Sequence, residues 1–132
     1  MTNEEKVKYW IDLSNRDFDT AEWVIKGGYN LHAGYMCHQA VEKILKGYFT
    51  KIKEDTPPFT HNLIDLAVKT ELYDLMSNEQ KIFVGALNPL NIETRYPEFT
   101  RKRATAHPSS DHLKQEKLKR KVFVYHTYLL LL

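Results

Sequence analysis

Four residues in the first half of the chain are spaced so that they could act together on a ligand. Tyr35, Gln39, Glu42 and Lys46 recur at i, i+4, i+7 and i+11. At about 100° per residue they fall in one row along a helix. A phenol, an amide, a carboxylate and an ammonium in one row can donate, accept and exchange charge with a bound group. The plainer alternative is a solvated helix face. In that case Glu42 and Lys46, with the acid four residues ahead of the base, contribute only about 0.2–0.5 kcal/mol.

A second set lies further on, in Thr94-Arg95-Tyr96-Pro97-Glu98-Phe99-Thr100-Arg101-Lys102-Arg103-Ala104-Thr105-Ala106-His107. Tyr96 and Phe99 are interleaved with Arg95, Arg101, Lys102 and Arg103. Aromatic faces can stack bases while guanidinium groups hold phosphates. The alternative is a basic loop whose aromatic rings anchor it to the rest of the fold. Pro97 restricts Tyr96 to extended backbone, which limits how Arg95 and Tyr96 can point.

Other chemistries find little support. The six histidines (32, 38, 61, 107, 112 and 126) form no His-Glu-x-x-His and no Cys/His cluster, and His112 with Glu116 offers only two ligands. No metal and no cofactor is therefore expected. Gly27-Gly28 lacks the spaced third glycine of a phosphate-binding turn, and no Gly-x-Ser-x-Gly elbow occurs. Thr60 suits a helix cap with His61 beside Asp65, although a ligand role for His61 is also open.

The elements that must position these residues read as helices. A first helix is predicted from about Asn3 to Lys26, with Val7, Ile11, Ser14, Phe18, Ala21 and Ile25 on one face. Tyr9, Leu13, Trp23 and Val24 lie roughly opposite and suit a subunit contact. Gly27-Gly28 supplies left-handed C-cap residues. A second helix, about Leu31 to Lys51, carries Ala33, Cys37, Val41, Ile44 and Tyr48 inward and stops before Pro57-Pro58. A short third helix is expected from His61 to Thr70, with Thr60 as its N-cap. Ser77-Asn78-Glu79-Gln80 has the form of a capping box opening a fourth helix through about Leu87, closed by Pro89.

Residues 88–110, with prolines at 89, 97 and 108, are irregular, and a connection of this length inside a domain tends to be functional or disordered. From Asp111 a last helix would align Leu118, Val122, Tyr125, Leu129 and Leu132. Its Val-Phe-Val-Tyr segment has strand propensity but no partner strand. The pattern predicts an all-α, up-and-down bundle of four to five helices in a single domain spanning 1–132.

Composition agrees with a soluble globular domain: 42% hydrophobic and 27% charged residues. The polar N-terminus has no signal-like apolar stretch, and no run of about 18 apolar residues occurs, so a cytoplasmic protein without a membrane span is expected. Cys37 is the only cysteine and reads as a buried structural thiol. The net charge of +2 hides an asymmetry. Residues 101–132 hold eight Lys/Arg against Asp111 and Glu116, a local charge of +6 that leaves −4 for the rest. That suits a polyanion or an acidic partner surface, or simply a solvated basic helix.

Three segments, in order, give the chain a family likeness. His38-Gln39-Ala40-Val41-Glu42-Lys43-Ile44-Leu45-Lys46, then Thr60-His61-Asn62-Leu63, then Thr94-Arg95-Tyr96-Pro97 resemble the bacterial HEPN domain. Asp17-Phe18-Asp19-Thr20-Ala21-Glu22, Gly28-Tyr29 and Ala33 fit the same pattern, and the likeness runs from about Leu13 to Val124. The resemblance implies a bundle of four or five helices, commonly a homodimer. Such domains are often produced beside a small nucleotidyltransferase partner and have been proposed to bind nucleotides or RNA.

Some HEPN proteins are metal-independent, toxin-like ribonucleases with an antitoxin partner, built on an Arg-x(4–6)-His motif with a polar residue after the Arg. Arg101 and His107, with five residues between them and Lys102 following the Arg, match that motif. His107 would act on the 2′-hydroxyl or leaving oxygen, and Arg101 would stabilise the charged phosphoryl group. Against this, Pro108 follows His107 in the irregular segment. The leading expectation is a homodimeric helical module that binds a nucleotide, RNA or a nucleotidyltransferase partner. Arg95 and Lys46 would contact phosphate, Glu42 would orient one of them, Tyr96 would stack or donate, and Gln39 and Tyr35 would line the cleft. A ribonuclease using Arg101 and His107 is the alternative, and a non-catalytic dimeric scaffold with Tyr9, Leu13 and Trp23 on its apolar face is the third.

Overall fold

The structure, a computed structural model, describes residues 1–91. Helix α1 spans Asn3–Lys26 and is started by Thr2, whose side chain accepts the Glu5 N–H at 3.1 Å, with Glu4 and Glu5 favourably placed in the first turn. It ends in a Schellman arrangement: Gly28 N–H bonds the Ile25 carbonyl and Tyr29 N–H bonds that of Val24. Only Gly28 is left-handed, at φ 83°, while Gly27 keeps right-handed helical angles. The expectation of two left-handed glycines is thereby corrected to one.

Helix α2, Asn30–Lys53, folds back antiparallel on α1. Asn3 Nδ2 donates to the Thr50 carbonyl at 3.3 Å, Ser14 Oγ donates to the Ala40 carbonyl at 2.6 Å, and Lys43 pairs with Asp17. The helices approach closely at Gly47, where an added Cβ would lie 2.9 Å from Cβ of Trp10.

Helix α3, Leu63–Lys69, begins two residues later than the sequence suggested. Its N-cap is Asn62, whose side chain accepts the Asp65 N–H at 3.0 Å. Thr60 instead accepts the Asn62 N–H at 3.1 Å, tightening the turn before the helix. A second Schellman end follows, with Glu71 left-handed at φ 64° and Leu72 N–H bonded to the Ala67 carbonyl. A 3-10 turn at Tyr73–Leu75 leads to α4, Asn78–Leu87, which carries the predicted capping box with both Ser77–Gln80 bonds formed.

Among the described residues all regular structure is helical, as the pattern predicts. Phe18 and Ala21 of α1, Val41, Ile44 and Leu45 of α2, Leu63 and Leu66 of α3, and Phe83, Val84 and Leu87 of α4 share one core. Cys37 lies in it as expected, and burial pushes its thiol up to about 12. Tyr9 and Trp23 do lie away from the core, 52% and 77% exposed. Among the described residues no helix is long and apolar enough to cross a membrane.

Candidate functional site

Helix α2 is central, with α1 on one flank and α3 and α4 on the other, and twelve of its 24 residues are buried. Its polar row is therefore not a solvated face. Glu42 and Lys46 are only 4% and 8% exposed, while Tyr35 and Gln39 are half-buried at the other end of the row.

A buried charge must be paired and hydrogen-bonded to be tolerated, and Glu42 is the node that satisfies this rule. Its Oε2 accepts from Lys46 Nζ at 3.2 Å, within the i, i+4 geometry foreseen. Its Oε1 lies 2.9 Å from Nδ1 of His61. His38, fully buried one turn earlier on α2, brings its Nδ1 to 3.9 Å of the same oxygen. Lys46 also sits over the Trp10 indole, 5.8 Å from the ring centroid, adding a cation–π contact from α1.

His61 thus does not settle beside Asp65. Asp65 pairs with Lys69 at 3.1 Å, and the imidazole turns from the α2–α3 loop to the α2 carboxylate. An ionised carboxylate only accepts, so in this contact Nδ1 of His61 is the donor. The His61 side chain is 56% exposed, in contrast to the carboxylate holding it.

The Gln39 end of the row is tied to the residues that follow α4. Gln39 Nε2 donates to Asn91 Oδ1 at 3.3 Å, and Asn91 is buried. Asn88 accepts the Leu63 N–H at 2.9 Å and donates to Asn62 Oδ1 at 3.2 Å, clamping the end of α4 to the start of α3. The seam of α2 therefore runs from Asn91 and Gln39 to Glu42, His61 and Lys46.

Of the residues singled out from the sequence, the structure brings together Glu42 and Lys46 and places Gln39 and Tyr35 along the same seam. Arg95, Tyr96, Arg101 and His107 lie outside the described residues. Sequence spacing did not show Trp10, Asn88, Asn91 or the contact of His61 with Glu42, although Thr60-His61-Asn62-Leu63 was one of the three resembling segments. Among the described residues no group of three or more His, Cys, Asp or Glu side chains is arranged to hold a metal ion.

Fold and site together define an all-α helical domain organised around a central helix with a buried, hydrogen-bonded charge node. The sequence model of the HEPN domain matches residues 7–118, most of the chain, so the protein belongs to the HEPN domain family. No curated protein and no solved structure matches it.

Proposed function

We propose that this HEPN domain binds single-stranded RNA or a nucleotide along the polar seam of α2. The observation that carries the reading is the bond between Gln39 and Asn91. Asn91 precedes Arg95 by four residues, and four residues of chain span at most about 14 Å, so Arg95 is within reach of the seam. In this reading Arg95 contacts phosphate and Tyr96 stacks on a base or donates to it. Lys46 takes a different part from the one its charge suggested. Its ammonium is buried and met by Glu42, so it steadies the carboxylate and leaves the phosphate to Arg95.

Titrating nucleotides and short RNAs at several salt concentrations tests the proposal. Affinity should fall with salt, and Arg95→Ala should weaken binding and flatten that dependence by about one phosphate contact. Absence of binding, or binding unchanged by Arg95→Ala, overturns it.

A second reading, self-association, is favoured by the exposed Tyr9 and Trp23 on the outer side of α1. Sedimentation of the wild type against Tyr9→Ser/Trp23→Ser tests it. A wild-type monomer, or a dimer unaffected by the double change, removes this face as the contact.

A further inference from the structure

We infer that Gly34 is a positioning residue for the binding seam: the notch it leaves in α2 seats Leu90 and so fixes Asn91, the origin of the four-residue span to Arg95. The assignment rests on the binding reading above and adds to it a residue that touches no ligand.

The starting point is a glycine where a helix gains nothing from one. Gly34 lies inside α2 and is buried. An interior helical glycine is less favourable than alanine, because it must order more backbone freedom and packs no side chain. Its surroundings supply the reason for it. A Cβ at position 34 would lie 2.8 Å from Leu90 Cδ1, with Leu90 Cγ at 3.8 Å and Cδ2 at 4.0 Å. The three nearest atoms all belong to Leu90, and that side chain also packs against the shared core.

Leu90 stands within a short run fastened to two other helices. Asn88 accepts the Leu63 N–H at 2.9 Å and donates to Asn62 Oδ1 at 3.2 Å, which ties the run to the start of α3. Pro89 then restricts the backbone. Leu90 enters the Gly34 notch, and the buried Asn91 accepts from Gln39, five positions further along α2. At 3.3 Å the Gln39–Asn91 bond is long for an N–H···O contact, and alone it leaves a pivot. The apolar seat at Gly34 supplies the second point on α2 and removes that freedom.

The seat works through size, since interiors are packed closely enough for one methyl group to be felt. Gly34→Ala drives the Leu90 side chain out of the notch and lifts the run from α2. Leu90→Ala empties the notch and loosens the same run.

The test is a reciprocal exchange of size in the full chain. Binding of a fluorescein-labelled oligouridylate and of labelled ATP is followed by anisotropy, and the Gln39 side-chain amide by NMR without ligand. Gly34→Ala should weaken binding as Arg95→Ala does, by at least about tenfold, the factor for one charge-assisted contact. Combining the two changes should weaken binding no further, because both remove the same contact. Leu90→Ala alone should weaken it as well. The pair Gly34→Ala/Leu90→Ala returns a methyl group to the vacated space and should bind within about threefold of wild type, by the usual tolerance for volume-conserving exchanges. A general loss of packing would instead make the pair worse than either single change. The Gln39 amide resonances should move in Gly34→Ala and return in the pair. Gly85→Ala, with open space around it, should bind as wild type.

Full affinity in Gly34→Ala overturns this assignment, and so does loss in both single variants without recovery in the pair. Either result leaves the binding reading standing if Arg95→Ala weakens binding. If Gly34→Ala does not fold, the comparison of Leu90→Ala with the pair decides in the same way. A wild type that binds neither probe removes the binding reading and this assignment with it.

Discussion

Gly47 of α2 lies directly beneath Trp10 of α1, so closely that a β-carbon at position 47 would come within 2.9 Å of the Trp10 β-carbon. The missing side chain sets the distance between the two long helices, and with it the position of the indole over Lys46.

Gly47→Ala should therefore destabilise the domain. Alanine gains up to about 1 kcal/mol of helix propensity, but overpacking a tight contact costs about 1–3 kcal/mol. A net loss of about 1 kcal/mol is expected in urea unfolding. Gly85→Ala in α4 is the control, because nothing lies within 4 Å of the added carbon, and it should stabilise by about 0.5–1 kcal/mol. Equal effects at both positions would show that the helix contact does not set the distance.

Glu71 occupies the left-handed position that closes α3, at φ 64°, where a β-carbon is disfavoured by about 1–2 kcal/mol. Its exposed pair with Lys53, 3.2 Å long, offsets little of that cost. Glu71→Gly should raise the thermal midpoint by a few degrees, an effect equivalent to about 1 kcal/mol. Gly28→Ala, at φ 83° with open space around it, should lower the midpoint by a similar amount. The opposite signs at two equivalent Schellman ends make the comparison decisive.

These local signals were readable from residue types, because capping and turn chemistry act over three to six residues. The Ser77–Gln80 box, the end of α1 at Gly28 and the buried stripe of Cys37, Val41 and Ile44 follow from such rules. The environment of Glu42 and Lys46 did not. A helical wheel divides a helix into a core side and a water side, whereas α2 is enclosed on both flanks. A polar residue there is read as solvated until its partners are known, and the partner His61 is 19 residues away in a separate loop. The N-cap of α3 failed for a related reason. Thr60 and Asn62 are both good caps, and the clamp from Asn88 to Asn62 and Leu63 favours the later start.

The Glu42–Lys46 pair should show strong non-additivity. Glu42→Leu leaves the Lys46 ammonium buried without its carboxylate, and breaking a buried pair in this way costs about 3–5 kcal/mol. Lys46→Met alone leaves Glu42 with His61 as its bonded partner and should cost less. The double variant Glu42→Leu/Lys46→Met should recover about 1–3 kcal/mol relative to Glu42→Leu, since no unpaired charge remains. A double-mutant cycle in urea measures this coupling, and simple additivity would rule out the pair as a unit.

Cys37 supplies a prediction with a definite sign in pH. Burial raises its thiol from 9.0 to about 12, so the folded state holds the proton more tightly than the unfolded chain. Below pH 9 both states are protonated and the stability contribution is complete. Between pH 9 and 12 only the unfolded chain releases the proton, and stability falls by up to about 1.4 kcal/mol per pH unit. The comparison is between wild type and Cys37→Ala, which isolates the thiol. The advantage of wild type over the variant should shrink by about 1 kcal/mol between pH 8 and pH 10 in urea unfolding. At pH 8 a thiol reagent should label native Cys37 only as fast as the domain opens, because the side chain is buried and protonated. Labelling of the native protein at the rate of a free thiol would contradict both the burial and the direction of the shift.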